Sequence, residues 1–136
     1  MNTSSINGVA VAICVLFSVI SGSLWFGPKT FFPVWWNALG LEGRTPSGSP
    51  TTWALIIGAS VVQAFAMALI VPAVAGESGA TLGSGALTGF ALWLGFVAPT
   101  GLVNKVFPGH LKAWAIETGN HLVNFVAFGA IIGGWR

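Results

Sequence analysis

The chain has 136 residues, of which 54% are hydrophobic and only 6% are charged. Soluble domains carry about 25% charged residues, because a water-facing surface needs them. Five basic and three acidic side chains cannot cover a globule of this size, which excludes an ordinary soluble domain and predicts a protein surrounded by lipid. The net charge of +2 is too small for a nucleic-acid-binding surface.

Four apolar runs reach the roughly 20 residues that a helix needs to cross a bilayer. They cover residues of about 6–26, 53–73, 82–103 and 113–135. An alternative interpretation of the first run is a signal peptide, but no basic residue precedes it, so we expect a retained span. We therefore predict an all-α fold: residues 1–136 form a single transmembrane domain, an integral membrane four-helix bundle.

The first two spans are joined by a segment with two distinct parts. Residues 28–37 are rich in aromatic side chains and are interrupted by two prolines, which predicts a short interfacial segment after the first helix. Residues 40–50 are rich in Gly, Pro and Ser and predict a flexible loop. Residues 49–52, Ser-Pro-Thr-Thr, are a sequence typical of a helix N-cap.

Five tryptophans fall at the end of the spans where this segment lies, and the headgroup layer there accommodates both the ring and its N–H: Trp25, Trp35, Trp36, Trp53 and Trp114.

Basic residues are concentrated in loops 28–52 and 104–112, which share one side of the membrane if the chain crosses it four times. These loops carry four basic side chains, Lys29, Arg44, Lys105 and Lys112, against the single acid Glu42. Cytoplasmic loops carry an excess of Lys and Arg. The pattern predicts a multi-pass protein of the plasma (inner) membrane, with both loops cytoplasmic and both termini outside.

Small residues recur four apart along the first three spans, a spacing that lets helix backbones approach closely in lipid. Such ridges serve either packing within one protomer or an oligomer interface, and we favour the first because four helices must first pack with each other. Because the third span carries two lines of small residues, we expect it to lie centrally. The ridges are Ala10, Cys14, Ser18 and Gly22; Ser60, Ala64 and Ala68; Gly79, Gly83, Ala91 and Gly95; and Gly85 with Gly89.

The fourth span contains a polar stripe, Glu117, Asn120, His121 and Asn124, at spacings i, i+3, i+4 and i+7. These positions share one helix face. Polar side chains at membrane depth are costly and face the protein interior. The stripe is either a ligand or proton site, or a hydrogen-bonded clasp that holds helices in register at about 1 kcal/mol per bond.

Partners for the polar stripe are expected on other spans. Gln63 in the middle of the second span and Asn104 at the end of the third are the expected partners, and both belong to the candidate ligand or proton site. A charged Glu117 needs a cation, for which His121 and Lys105 are the two candidates. We also expect Glu117 and His121 to contact each other directly or through one water, since side chains four apart meet on a helix.

Metal, cofactor and enzyme signals are weak. Glu117 and His121 are two possible metal ligands, and Cys14 is the single cysteine, whereas zinc needs at least three protein ligands. We therefore predict no metal site and no cofactor. Motifs of hydrolases, P-loop proteins and zinc proteases are absent, and no nucleophile stands beside a base, so the sequence does not favour an enzyme.

A set of motifs spread along nearly the whole chain resembles the bacterial family catalogued as domain of unknown function 1761. In that family's pattern, Tyr stands at the positions of Phe26 and Asn120, and Asp at that of Glu117, so a role tied to a phenol hydroxyl does not carry over. The resemblance implies a small four-span membrane protein without a known activity. The motifs are Trp25-Phe26-Gly27-Pro28 with Phe32, Trp36 and Gly40; Gly95-Phe96-Val97-Ala98-Pro99 with Asn104; and Glu117-Thr118-Gly119-Asn120-His121.

Two functional hypotheses remain open. In the first, the chain is a proton-linked or small-solute binding or transport unit that uses the polar stripe and assembles as a homo-oligomer, because four spans are few for a transport path. In the second, it is an accessory subunit of a larger membrane complex, and its ridges meet partner membrane subunits. The lipid bilayer is the expected surrounding in both, and no nucleic acid is expected.

The first testable prediction concerns topology. Reporter fusions in the loop around Arg44 should report the cytoplasm, and fusions at Arg136 should report the outer side, because of the four-to-one excess of basic residues in the two loops. A C-terminal reporter that is active in the cytoplasm would contradict the predicted orientation.

Overall fold

The computed structural model describes residues 6–135, and these form helices without any strand. A five-residue π-helical segment, Trp93–Val97, joins α4 to α5, so that Leu82–Val106 is one continuous helical stretch. A short 3₁₀ turn, Gly76–Ser78, follows α3. The helices are α1 Gly8–Trp25, α2 Phe32–Ala38, α3 Pro50–Ala75, α4 Leu82–Leu92, α5 Ala98–Val106 and α6 Leu111–Gly134.

Three helical stretches within residues 6–135 are long and apolar enough to cross a membrane: Gly8–Trp25, Pro50–Ser78 and Leu82–Val106. They coincide with the first three predicted spans. The fourth predicted span corresponds to α6, whose 24 residues give it a length of about 36 Å. It is not among the three, because the polar stripe interrupts its apolar sequence.

The helix starts follow from capping residues in the sequence. Asn7 Oδ1 accepts hydrogen bonds from the backbone N–H groups of Val9 and Ala10 at the start of α1. Ser49 caps α3 by accepting from Thr52 N–H, as predicted, so α3 begins at Pro50, three residues before the predicted span. Such caps satisfy backbone donors that the first turn of a helix leaves free.

The π-helical segment coincides with the motif of residues 95–99. Proline has no N–H and its ring clashes with the carbonyl four residues earlier, so Pro99 cannot continue a regular α-helix. Here the backbone N–H of Ala98 donates to Trp93 O, five residues back. The wider turn accommodates the proline inside an otherwise continuous helix.

The long helices run in alternating directions, and α6 lies at their centre. It contacts α1, α3, α4 and α5, and also the short helix α2. α1 is antiparallel to α6, since Cys14 lies beside Phe128 and Trp25 lies beside Ile116. The expectation that the third span is central was therefore wrong: α6 occupies that position, because only there are its polar side chains surrounded by protein.

Glycines bring α4 and α6 into backbone contact. A Cβ atom on Gly85 would collide with the carbonyl of Gly129, and one on Gly89 would collide with the carbonyl of Phe125. Gly129 and Gly133 on α6 face α4 in the same way. Of the two predicted lines of small residues on the third span, only Gly85 with Gly89 packs, whereas a Cβ on Gly95 would meet no atom within 4 Å. The matching glycines of α6 were not singled out from the sequence, although their spacing of four is a signal for close helix packing.

The ridges predicted on the first two spans are packing surfaces inside one protomer except at Gly22, where an added Cβ would meet no atom within 4 Å. Ala10, Cys14 and Ser18 are the buried residues of α1. Ser60, Ala64 and Ala68 are buried on α3. Phe128 of α6 completes the apolar core, together with Cys14 and Ala64, and all three are fully buried.

The glycine contact predicts that a bulky side chain at Gly89 is far more harmful than one at Gly95. Gly89→Leu has to push α4 away from α6, which should lower the free energy of unfolding by about 3 kcal/mol or more. The matched control is Gly95→Leu, which lies one and a half turns along the same helical stretch. It should change the free energy of unfolding by less than about 0.5 kcal/mol. Thermal unfolding in detergent micelles measures both variants. Equal losses of stability would contradict the α4–α6 contact.

Candidate functional site

The polar stripe faces the neighbouring helices, but its four residues are not buried equally. Asn120 and Asn124 are only 5% and 7% exposed. Glu117 and His121 are partly exposed. The stripe therefore divides into a sealed pair of asparagines and a more accessible pair of ionisable residues.

The two asparagines form a closed ring of hydrogen bonds with Ser21 of α1. The Ser21 hydroxyl donates to Asn124 Oδ1 at 2.8 Å, and Asn124 Nδ2 donates to Asn120 Oδ1 at 3.3 Å. Asn120 Nδ2 donates back to Ser21 Oγ at 3.0 Å. Each of the three side chains donates one bond and accepts one, so the ring satisfies polar groups that would otherwise be costly in an apolar interior. This part of the stripe has the geometry of the predicted clasp.

Glu117 is held from two other helices. Trp35 Nε1 of α2 donates to Glu117 Oε1 at 2.8 Å. Lys105 Nζ of α5 lies 3.3 Å from the same oxygen, and the Lys105 and Glu117 side chains are 25% and 24% exposed. Of the two cations considered for Glu117, Lys105 thus makes an ion pair. The contact ties α2 and α5 to the first turns of α6.

His121 lies one turn from Glu117 on the same face and is partly exposed. Among the hydrogen bonds found in residues 6–135, none involves the His121 imidazole. Within the same residues no buried side-chain nitrogen or oxygen lacks a partner, so the unpaired ring nitrogens are not fully enclosed by the protein. His121 is therefore the member of the stripe that the protein leaves available.

The partners predicted on other spans differ from those that the structure brings to the stripe. Gln63 is partly buried on α3 and Asn104 is exposed on α5, and the asparagines of the stripe bond to Ser21 instead. The prediction of Gln63 or Asn104 as their partner was wrong. The physical reason is the helix arrangement: α1 is antiparallel to α6, which brings the last turns of α1 to the depth of Asn120 and Asn124.

Tryptophan N–H groups dock neighbouring helices onto α6 and around the site. Trp25 Nε1 donates to Ile116 O and Trp93 Nε1 donates to Thr118 O, both at 2.9 Å. Gly119 lies under the Trp25 ring, where an added Cβ would come within 2.9 Å of that ring. Trp25 and Trp93 therefore hold residues 116–119 of α6 in place from two sides.

Four of the five tryptophans predicted at the interface donate their indole N–H to other parts of the chain. Trp114 Nε1 donates to Ala98 O at 3.0 Å, and Trp36 Nε1 donates to Arg44 O at 3.1 Å. Trp35 and Trp25 have the bonds given above, while Trp53 is 49% exposed. Trp35 and Trp36 belong to a cluster of rings around α2 with centroids 4.8 to 5.8 Å apart. Their indole N–H groups position backbone segments, a role that composition alone does not reveal.

The side chains considered as metal ligands do not converge. Cys14 Sγ lies 4.0 Å from Phe128 O, two turns of α6 away from His121. In the described part of the chain, no three His, Cys, Asp or Glu side chains form a group that could hold a metal ion. Glu117 bonds to Trp35 and Lys105, and within residues 6–135 it forms neither a hydrogen bond nor an ion pair with His121, so the direct contact expected between these two residues is not formed.

The closed ring predicts a specific cost for losing its hydroxyl. Ser21→Ala removes the donor to Asn124 and the acceptor for Asn120, which leaves two buried polar atoms unpaired and should cost about 1–3 kcal/mol of stability. Ser23→Ala, on the exposed side of the same helix, is the control and should have little effect. Unfolding of the purified variants in micelles makes the comparison, and equal stabilities would exclude the ring as a clasp.

Comparisons with curated proteins and with solved structures gave no significant match. A family model described as "Protein of unknown function (DUF1761)" matches residues 9–133. The match runs from α1 to the last turn of α6, and it confirms the resemblance carried by the motifs. The chain is therefore a member of the DUF1761 family of proteins of unknown function.

Proposed function

We propose that this chain is a four-span protein of the plasma (inner) membrane, in which α6 is the fourth span of a four-helix bundle. The length of α6 supports this proposal, as does its central position, because a surrounded helix does not need an apolar surface all round. The basic residues of loops 28–52 and 104–112 favour a cytoplasmic position for those loops and outer termini. The aromatic cluster of α2 then lies along the cytoplasmic interface, where tryptophan is favoured.

We further propose that the chain is a proton-linked binding or transport unit for a small solute, with Glu117 and His121 as its proton-exchanging pair. One observation carries this proposal: the His121 imidazole makes no hydrogen bond among residues 6–135, although it lies one turn from a carboxylate that Lys105 and Trp35 hold in place. A clasp needs no free imidazole. An imidazole ring can accept and release a proton at its ring nitrogens, which suits a group in a proton-linked site.

The roles of the remaining polar residues follow from their contacts. Lys105 and Trp35 act as positioning residues, since they fix the Glu117 carboxylate without filling its surroundings. The ring of Ser21, Asn120 and Asn124 keeps the deeper half of the stripe closed, so the solute reaches the pair from the cytoplasmic end. Gln63 and Asn104 are outside this pair and serve at most as secondary polar contacts.

A single copy offers few helices from which to build a path across the membrane. Four spans with a sealed asparagine ring leave no polar route through one protomer in this proposal, so a homo-oligomer forms the complete unit. The outward apolar residues of α3 and α5 are surfaces for such an assembly or for lipid; Val62 and Val103 are 68% and 63% exposed.

A second candidate function is that of an accessory subunit in a larger membrane complex. The observation that favours it is the sealed ring of asparagines, which resembles a clasp more than a substrate site. In that case the exposed apolar faces contact other membrane subunits. Purification in native membrane discs followed by mass measurement distinguishes a homo-oligomer from an assembly with other chains.

His121→Phe tests the proton-linked function directly. Purified protein is placed in liposomes with a trapped pH-sensitive dye, and an imposed pH gradient is followed with time. The native chain should dissipate the gradient faster than empty liposomes, whereas His121→Phe should fall to their level with an unchanged fold. His110→Phe, at the other histidine of the chain, is the control and should keep the native rate. If the native chain and empty liposomes are equally slow, or if His121→Phe retains the flux, the proposed pair is not the proton site.

A further inference from the structure

A cavity of about 460 Å³ lies at the end of the helices far from Glu117, between the start of α1 and the ends of α3 and α6. Its volume is within the range of small-molecule sites. Small residues leave the space unfilled, since Ala10, Ala68, Gly79 and Ala80 all form its wall. Nothing in the proposed proton-linked function uses this cavity.

One wall of the cavity presents a hydrogen-bond donor. Asn7 lines it, and Asn7 Oδ1 is committed to capping α1 through the N–H groups of Val9 and Ala10 at 3.0 and 3.2 Å. The remaining polar atom of this side chain is its NH₂ group, which only donates. A ligand held by Asn7 must therefore offer an acceptor.

The part of the lining that belongs to α3 contains a backbone carbonyl without its regular helical partner. Pro72 lies inside α3, and both Pro72 and Ala68 line the cavity. In a regular helix the N–H of residue 72 donates to the carbonyl of residue 68, but proline has no N–H. The Ala68 carbonyl consequently lacks its regular helical partner, and a ligand beside it can supply the missing donor.

The rest of the lining is uncharged. Among the wall residues that lie within 6–135 there is no Asp, Glu, Lys or Arg, and Ile6, Ile132 and Trp135 supply the larger apolar surfaces. An ionised ligand would enter this site without a counter-charge, at a large desolvation cost. The walls thus suit a neutral molecule with an apolar body and one group that both accepts and donates a hydrogen bond, which is the chemistry of a hydroxyl.

We propose that this cavity binds a neutral, hydroxyl-bearing amphiphile from the membrane. Its hydroxyl accepts from Asn7 Nδ2 and donates to the Ala68 carbonyl, and its apolar body packs against the isoleucines and Trp135. The site is separate from the Glu117–His121 pair and does not depend on its function.

Photolabelling in phospholipid nanodiscs tests this proposal with 1-decanol as the probe. A decanol analogue that carries a diazirine is cross-linked to the native chain, and the labelled residues are mapped by mass spectrometry. Label should appear on segments that line the cavity, around residues 68–80 and 132–135. Unlabelled decanol should compete about three- to tenfold better than decane, the expected worth of one hydrogen bond, and better than decanoate, which is charged. Label spread evenly over the lipid-facing helices, or equal competition by the three compounds, would overturn the proposal.

Two variants separate the polar contacts from the apolar fit. Asn7→Ser keeps a side-chain oxygen for the cap but removes the NH₂ donor. Pro72→Ala restores the N–H that pairs with the Ala68 carbonyl. Each should remove most of the advantage of decanol over decane while leaving labelling by the apolar body in place. Asn37→Ser and Pro99→Ala, at positions away from this cavity, are the matched controls and should retain the full advantage. If both test variants behave like the controls, the hydroxyl is not bound by these groups.

Discussion

The polar side chains of α6 have to be surrounded by protein, and the arrangement of the other helices follows from this constraint. Buried amides are costly without hydrogen bonds, so Asn120 and Asn124 require partners from within the chain. Ser21 supplies them from α1. On another side, glycines of α4 and α6 bring the two backbones into contact. The long helix that carries the polar stripe thus lies at the centre, and the three helical stretches that are long and apolar enough to cross a membrane lie around it.

Hydrogen bonds from indole N–H groups fix the end of the helices at which Glu117 lies. Trp25 and Trp93 approach α6 from different helices and donate to carbonyls only two residues apart. Trp35 reaches the Glu117 carboxylate from α2. A tryptophan can cover an apolar surface and still satisfy a polar atom, which suits the boundary between the apolar interior and the charged loops. At the opposite end, the described residues include no indole N–H that donates to a neighbouring helix, and the cavity beside Pro72 lies there.

Small and polar residues therefore have two kinds of role within the same helices. Where they face a matching helix, as Gly85 faces Gly129, they allow packing that a larger side chain would prevent. Where several small residues meet without a matching large one, as around Ala68 and Ala80, they leave a cavity. Similarly, the side chains of Asn120 and Asn124 form hydrogen bonds with each other and with Ser21. The His121 imidazole forms none among residues 6–135. Whether a polar side chain holds helices together or stays free to bind a ligand therefore depends on the residues that surround it rather than on its residue type.

The sequence by itself determined the elements whose causes are local. Apolar runs located the three helical stretches that are long enough to cross a membrane, and residues 49–52 located the N-cap of α3; the motifs also indicated the family. Only the tertiary structure decided that α6 is central, that Ser21 rather than Gln63 bonds to the asparagines, and that Gly95 points away from the core while Gly89 packs. Periodicity shows which residues share a helix face, but not which helix that face meets. In lipid this choice depends on the fit between whole surfaces, which local sequence does not contain.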